Sequence, residues 1–416
     1  MGDSTGTPVI TQENVRRVFA FTDEVVEGYP GRVAGSEADR KAGARVKQEF
    51  EKYCDPGSVR SEEFEVHPKS FLKYIPGLVI LYFACMTLLY FGFAWIAFAG
   101  MAVGLFVFIA QFALYWHLLD PLFPKKEGYN IFGLIEPAGE VKQQRIVCGH
   151  YDAAYAFQVL THMPKLYFPL MLIGVALLVL SMLVALVAAV MSLFGAAMSQ
   201  WVALVFIILG IFEIPYLFFT TEQVVPGAGD NMIAVAIAAE TGKVFGDAKK
   251  AGNNLLKHTR LIILSPDAEE AGLRGARAYV KRHREELLKT KTYVFNMDTL
   301  YHLKSINFFD SDLNSTVKLS GEMAQECLGI AKSLGYDAVV SRMSPGAGAT
   351  DAAAFGEAGI EATNLSAMSF DVKDYDKGWT YHTPDDTSKH IEPRVVEASL
   401  KIIRDYILKK DGSAVS

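Results

Sequence analysis

The chain has 416 residues, of which 51% are hydrophobic and 21% charged, and a net charge of −6. That length holds one large domain with a membrane part, or two to three small domains. The acidic balance gives no basis for nucleic-acid binding, and four scattered cysteines (Cys54, Cys85, Cys148 and Cys327) form neither a disulfide framework nor a CxxC metal knuckle, which fits reduced thiols in a cytosolic compartment.

Residues 1–17 are polar and lack the apolar core of a signal peptide. Gly6 stands where a myristoylation pattern needs Ser or Thr. A helical pattern over 37–53 follows. The first apolar block, 71–119, is uncharged from Tyr74 to Leu119. One membrane span needs about 20 residues, so this block accommodates two, with a turn near 93–100. Trp95 and Trp116 suit interfacial positions. A strand is predicted at 145–149. The second block is uncharged from Leu166 to Phe212. It accommodates two more spans, about 166–193 and 200–220, turning around 195–200. Glu213, beside Pro215, is the one acid in the fourth span, which makes it a functional candidate or an interfacial residue. Beyond it, strands are predicted at 261–265, 293–296 and 362–365. Helices are predicted over 231–245, 272–290, 321–334 and 393–408. The tail, 409–416, is expected to be disordered.

Alternating apolar β-branched runs and helical patterns argue for an α/β fold with a mixed, largely parallel sheet flanked by helices. Two helical hairpins, about four spans in all, interrupt it. The expected division is one discontinuous soluble domain (1–70, 121–163 and 222–416) with hairpins at 71–120 and 164–221. Buried core helices are the alternative for the apolar blocks, but helices without a polar face rarely recur within one globular domain. Two hairpins leave all of the soluble part on one side. Lys69, Lys73, Lys125, Lys126 and Lys165 flank the spans there, so an integral multi-pass protein with a cytoplasmic soluble domain is expected. The spans are also compatible with a homo-oligomer.

In parallel sheets the ligand site lies off the carboxyl ends of the strands. His150 and Asp152 follow the first predicted strand of the sheet. Asp267, Glu269 and Glu270 follow the second, and Asp298 follows the third. Asp230 opens a helix, and His382 lies in a late loop. Singly, each has an ordinary reading: Asp230 as a helix N-cap, Glu269 and Glu270 as solvated helix-start charge, the histidines as core or turn residues. Together they match what two divalent ions need. His150, Asp298, Glu270 and His382 serve as terminal ligands, Asp230 as the bridge, and Glu269 as the base. A bound metal lowers the pKa of its water from 15.7 to roughly 7, and a pair about 3.5–4 Å apart clamps attacking and developing oxygens.

These motifs, in this order, resemble the M28 family of co-catalytic zinc metallopeptidases. The family's H-x-D is matched by His150-Tyr151-Asp152, and its G-A-x-D-N by Gly227-Ala228-Gly229-Asp230-Asn231. Its E-E-x-G-L-x-G is matched by the run from Glu269 to Gly275. Its N-x-D is matched by Asn296-Met297-Asp298, and its Y-H-T-P-x-D-T by the run from Tyr381 to Thr387. Upstream, Gly31-Arg32-Val33-Ala34-Gly35-Ser36 is similar to a family segment, and Thr350-Asp351 resembles a late structural loop. The departures are Ala153 and Ala276 where Ser is common, and the expansion of the link between H-x-D and D-N into a hairpin.

The resemblance implies two zinc ions, with other divalent metals also compatible. His150 and Asp298 would hold one ion, Glu270 and His382 the other, and Asp230 would bridge them. Glu269 would be the general base, and Asp152 would orient His150. It implies a membrane-anchored exopeptidase acting on peptide substrates, an aminopeptidase first. A carboxypeptidase using Arg342 or Arg274, or another amidase, deacylase or cyclase on the same fold, is the alternative. Glutaminyl cyclases resemble the family but use one metal. A non-catalytic membrane receptor would tolerate lost ligands, and no ligand position is substituted. Hairpins leaving beside the metal loops imply small, apolar or membrane-derived peptides.

Overall fold

The computed structural model describes residues 8–369 and 379–413; Gly6 and residues 414–416, on which two expectations rested, lie outside them. The chain opens with α1 (Gln12–Gly28), α2 (Glu37–Glu51) and β1 (Arg60–Val66), then an apolar pair, α3 (Ile75–Tyr90) and α4 (Ala94–Phe108). Next come β2 (Lys126–Ile135), β3 (Gln143–Cys148), β4 (Tyr155–Phe157) and α5 (Gln158–His162), then a second apolar pair, α6 (Pro164–Leu193) and α7 (Gln200–Leu209). The remainder is β5 (Thr220–Val224), α8 (Ile233–Lys250), β6 (Thr259–Ser265), α9 (Arg274–Lys289), β7 (Lys291–Leu300), β8 (Asn307–Asp312), β9 (Val317–Lys318), α10 (Gly321–Ser333), β10 (Val339–Arg342), α11 (Ala352–Glu357), β11 (Glu361–Ala367) and α12 (Pro393–Ser413).

The main sheet runs β1-β2-β6-β3-β7-β11-β8-β10, with β9 paired to β8. Its centre, β6-β3-β7-β11, is parallel, and β1, β2 and β8 join antiparallel to their inner neighbours. The central strands are apolar because helices cover both faces. All six residues of β3 are buried. One face packs against α1, α8, α10 and α12 through residues such as Val18, Ile237, Cys327 and Ile403. The other packs against α9 and α11 through Tyr279 and Phe355.

Several sequence expectations need correction. The N-terminal stretch, for which no element was expected, enters α1, whose Val15, Val18, Phe21 and Val25 turn one apolar face inward. The tail is not disordered through 409–413: α12 continues to Ser413, tied by Asp411, which accepts the backbone N–H groups of Lys257 and His258. The first apolar hairpin turns at 91–93 rather than at 93–100. Gly92 supplies the positive φ of 86° that a tight turn needs. Gly100 lies within α4, where a Cβ would fall 2.5 Å from Cys85 Sγ of α3; it is a close helix contact, not a turn.

Among the described residues, three helical stretches are long and apolar enough to cross a membrane: Ala94–Ala113, Pro164–Leu193 and Gln200–Phe218. The first of the four expected spans, α3, has 16 residues, about 24 Å at 1.5 Å per residue, shorter than a hydrocarbon core of about 30 Å. These segments carry most of the large apolar side chains exposed on the protein; Phe194 is 82% exposed and Trp201 74%. Patches of this extent mark contact with lipid or protein. Glu213 is buried, and its Oε1 has no hydrogen-bond partner among the described residues.

At the root of the second insert, β4 and β5 pair antiparallel, joining Tyr155 to Val224 and Phe157 to Thr220. The Gln158 N–H also donates to the Phe219 carbonyl at 3.1 Å. The insert therefore leaves and returns at one point, off the carboxyl ends of β3 and β6.

Candidate metal centre

Each predicted site residue lies at the carboxyl edge of the parallel strands. His150 and Asp152 follow β3, Glu269 and Glu270 follow β6, and Asp298 is within β7 near its end. Asp230 lies just before α8, with non-helical φ −125° and ψ 85°. Its side chain caps neither that turn nor α8, so the N-cap reading does not hold. Glu269 is buried and Glu270 nearly so, which removes the reading of solvated helix charge.

Asp230 stands between the two histidines. Its Oδ1 is 3.2 Å from His150 Nε2, and its Oδ2 is 3.1 Å from His382 Nε2. Asp298 Oδ2 lies 3.7 Å from His150 Nε2, and Glu270 Oε1 lies 3.3 Å from His382 Nε2. Glu269 Oε2 is 3.9 Å from His150 Nε2, outside both trios.

This donor set fits metal ions. Donor atoms placed tetrahedrally about 2.0–2.1 Å from one zinc ion lie roughly 3.3 Å apart; Asp230 is 3.2 and 3.1 Å from the two histidines and Glu270 is 3.3 Å from His382, while Asp298 is wider, 3.7 Å from His150. One donor atom each from His150, Asp230 and Glu270 lie within 4.8 Å of one another. Among the described residues, His150 Nε2 and Glu270 Oε1 are buried without hydrogen-bond partners, as atoms aimed at an ion would be. Four acids also converge in a dry place. Burial first, then repulsion from neighbouring acids, pushes the carboxyls of Glu269, Glu270 and Asp298 above the ordinary range. Asp230 goes the other way: burial opposes it, but the two histidines hold its carboxyl below that range. Cations at the centre of such a cluster relieve the repulsion.

Residues around the donors support them. Asp152 places one oxygen 3.2 Å from His150 Nδ1. The same carboxylate accepts the backbone N–H of Glu269 at 3.1 Å and of Glu270 at 3.2 Å, so it orients one ligand and anchors the loop of two others. Arg32, fully buried, donates to the carbonyls of Tyr151, Pro226 and Gly227. It ties the loop after β3 to the loop bearing Asp230; burial pushes its guanidinium down to about 10. Asp386, in the motif of His382, accepts the N–H groups of Gly229 and Asp230 at 2.8 and 3.2 Å. Its motif was legible, but its role required the fold. Asn231 Nδ2 donates to the Met297 carbonyl at 2.8 Å, linking this loop to β7. Asp351 is buried with neither carboxylate oxygen hydrogen-bonded among the described residues, and burial pushes it up to about 7.

The two arginines considered for a substrate carboxylate separate. Arg274 is buried, 2.9 Å from Asp120 and donating to the Ala271 carbonyl, so it is a structural tie. Arg342 is exposed and lines a cavity that reaches Asp298.

The model of Peptidase family M28 matches residues 217–407. Aminopeptidase YwaD of Bacillus subtilis (strain 168) is 29% identical over 172 residues, 40% of this chain and 34% of that protein. The chain thus spans about a third of the length of this curated relative. Among solved structures, a Zn-dependent exopeptidase from Parabacteroides distasonis ATCC 8503 superposes with a TM-score of 0.55 at 13% identity, over 94% of this chain and 97% of that one. Fimbriiglobus ruber glutaminyl cyclase superposes with a TM-score of 0.56 at 13% identity, over 98% and 99%. At these identities the superpositions establish the shared fold.

Proposed function

We propose that this chain, which is similar to M28 zinc aminopeptidases over its C-terminal part, is a membrane-anchored dinuclear zinc exopeptidase that removes residues from peptide N-termini. The observation that carries this reading is Asp230, with one carboxylate oxygen beside each histidine. In this reading His150 and Asp298 would hold one ion, Glu270 and His382 the other, and Asp230 would serve both. Zinc held there lowers the pKa of a water and polarises the scissile carbonyl. Glu269, close to the centre but outside both trios, accepts the proton of the attacking water and returns it to the leaving amine. Asp152 keeps His150 in the orientation that presents Nε2. The name of the Bacillus relative supports the aminopeptidase direction.

Arg342 on the cavity wall favours one second reading, a carboxypeptidase that holds the substrate's terminal carboxylate there. The intact set of five donors supports a two-ion peptidase over a one-ion cyclase. The apolar inserts are read as bilayer anchors, with the soluble domain on the cytoplasmic side where Lys69, Lys73, Lys125, Lys126 and Lys165 cluster. Peptides are the substrates in this reading. Purified full-length protein should hold up to two zinc ions per chain and release amino acids from unblocked peptides; a metal-loaded protein that cleaves none would overturn the reading.

A further inference from the structure

A cavity of about 640 Å³ begins at Asp298 and runs toward the apolar inserts. Its walls differ in chemistry. The main sheet supplies a polar side that includes Ser341 and Arg342, and the inserts supply an apolar side that includes Phe112, Met171, Leu172 and Val175. Met171 and Val175 are one helical turn apart, so a single face of α6 lines the cavity. Val175 lies about 16 Å along the axis from Pro164, at 1.5 Å per residue, roughly half a hydrocarbon core. The cavity is not sealed on this side. Leu172 is 74% exposed and Val175 37%, so the side chains that line it also face the surroundings of α6.

A cavity with one aliphatic and aromatic wall offers no hydrogen bonds there and takes an apolar group. Its other end meets a candidate metal ligand, so the group that fills it belongs to the substrate. We propose that the inserts form the substrate pocket. The occupant is an apolar peptide partitioned in the bilayer, which reaches the site laterally past Leu172 and Val175. The residue next to the scissile bond lays a long aliphatic or aromatic side chain along α6. This rests on the peptidase reading above and assigns the inserts a role in specificity as well as anchoring.

The test uses zinc-loaded full-length protein in phospholipid vesicles. The substrates are peptides whose first residue lengthens stepwise from alanine to 2-aminodecanoate. Burying one methylene is worth about fourfold, so kcat/KM should rise about three- to fourfold per carbon until the cavity is full. Val175→Trp should flatten the long-to-short ratio at least tenfold. Leu180→Trp, exposed on the same helix and outside the cavity lining, should keep the wild-type ratio. Calorimetric binding of free 2-aminodecanoate against free alanine gives the same comparison without turnover. A flat series in wild type, or equal ratios in the two tryptophan variants, overturns the pocket. Equal kcat/KM for the long substrate delivered from water and from preloaded vesicles overturns the lateral route. No hydrolysis of any peptide, with binding still dependent on chain length, overturns the peptidase reading and keeps the pocket.

Discussion

Phe157 donates its backbone N–H to the carbonyl of His382 at 3.0 Å, and its ring meets the imidazole edge-on at 4.3 Å. Phe157 is the last residue of β4, the strand that closes the neck of the second insert. A candidate metal ligand is therefore held by the root of an apolar helical pair. Tyr381 stacks on the same imidazole at 4.0 Å. Phe157→Ala should weaken zinc binding by roughly tenfold, at the low end for supports of a metal ligand. It should also cost about 3–5 kcal/mol of stability through the cavity left behind. Zinc titration alongside thermal unfolding checks both, and an unchanged zinc affinity would show that the neck does not position His382.

Glu269→Gln removes a proton acceptor without removing a donor from either trio. Zinc content should stay at the wild-type level while kcat falls by about 10²–10⁴. Metal analysis beside peptide turnover tests this; full activity in the variant would refute the role of Glu269.

Chelation should destabilise the fold as well as stop turnover, because buried carboxylates would again face one another. An ion present at 1,000 times its Kd stabilises the folded state by about 4.1 kcal/mol. For a domain of this size that corresponds to a loss of roughly 10 °C in Tm. Differential scanning calorimetry before and after chelation, then after zinc is restored, measures it. A Tm indifferent to chelator would argue against ions at this centre.

Glycine positions separate site packing from helix propensity. A Cβ on Gly275, in the second residue of α9, would fall 2.0 Å from the Asp267 carbonyl and 2.5 Å from Asn130 Oδ1. Gly275→Ala should cost about 3 kcal/mol or more, since backbone cannot move aside cheaply. Gly329, in α10, has nothing within 4 Å of its Cβ position. Gly329→Ala should stabilise by up to about 1 kcal/mol. Denaturant unfolding of both variants should give opposite signs.

Sidedness can be read with one introduced thiol, because all four native cysteines are buried. Lys389 is exposed beside the His382 loop. Lys389→Cys should resist a membrane-impermeant maleimide in intact cells and react after permeabilisation. Labelling from outside would reverse the cytoplasmic assignment.

Local pattern made much of the fold legible. The apolar runs that became β3, β6, β7 and β11 are buried on both faces, so they read as continuous β-branched strands. The outer strands were not legible for the complementary reason. Lys126–Ile135 and Arg60–Val66 sit toward an edge and carry charge, and β1 exposes alternate residues. α1 had a usable apolar period that polar composition masked. The length of α3 was invisible because composition reports what lipid tolerates, while Gly92 decides where the helix stops.

By itself the sequence singled out the candidate site residues and placed most of them just after a strand, since a polar residue after an apolar β run is a local fact. It also showed two apolar blocks set between α/β segments. The tertiary structure decided the pairings. Asp230 lies between His150 and His382 because Arg32, Asp386 and Asn231 bind its loop to three other segments. It also decided that the inserts wall a cavity ending at Asp298. Both depend on contacts between residues far apart in the chain, and no local period encodes such contacts.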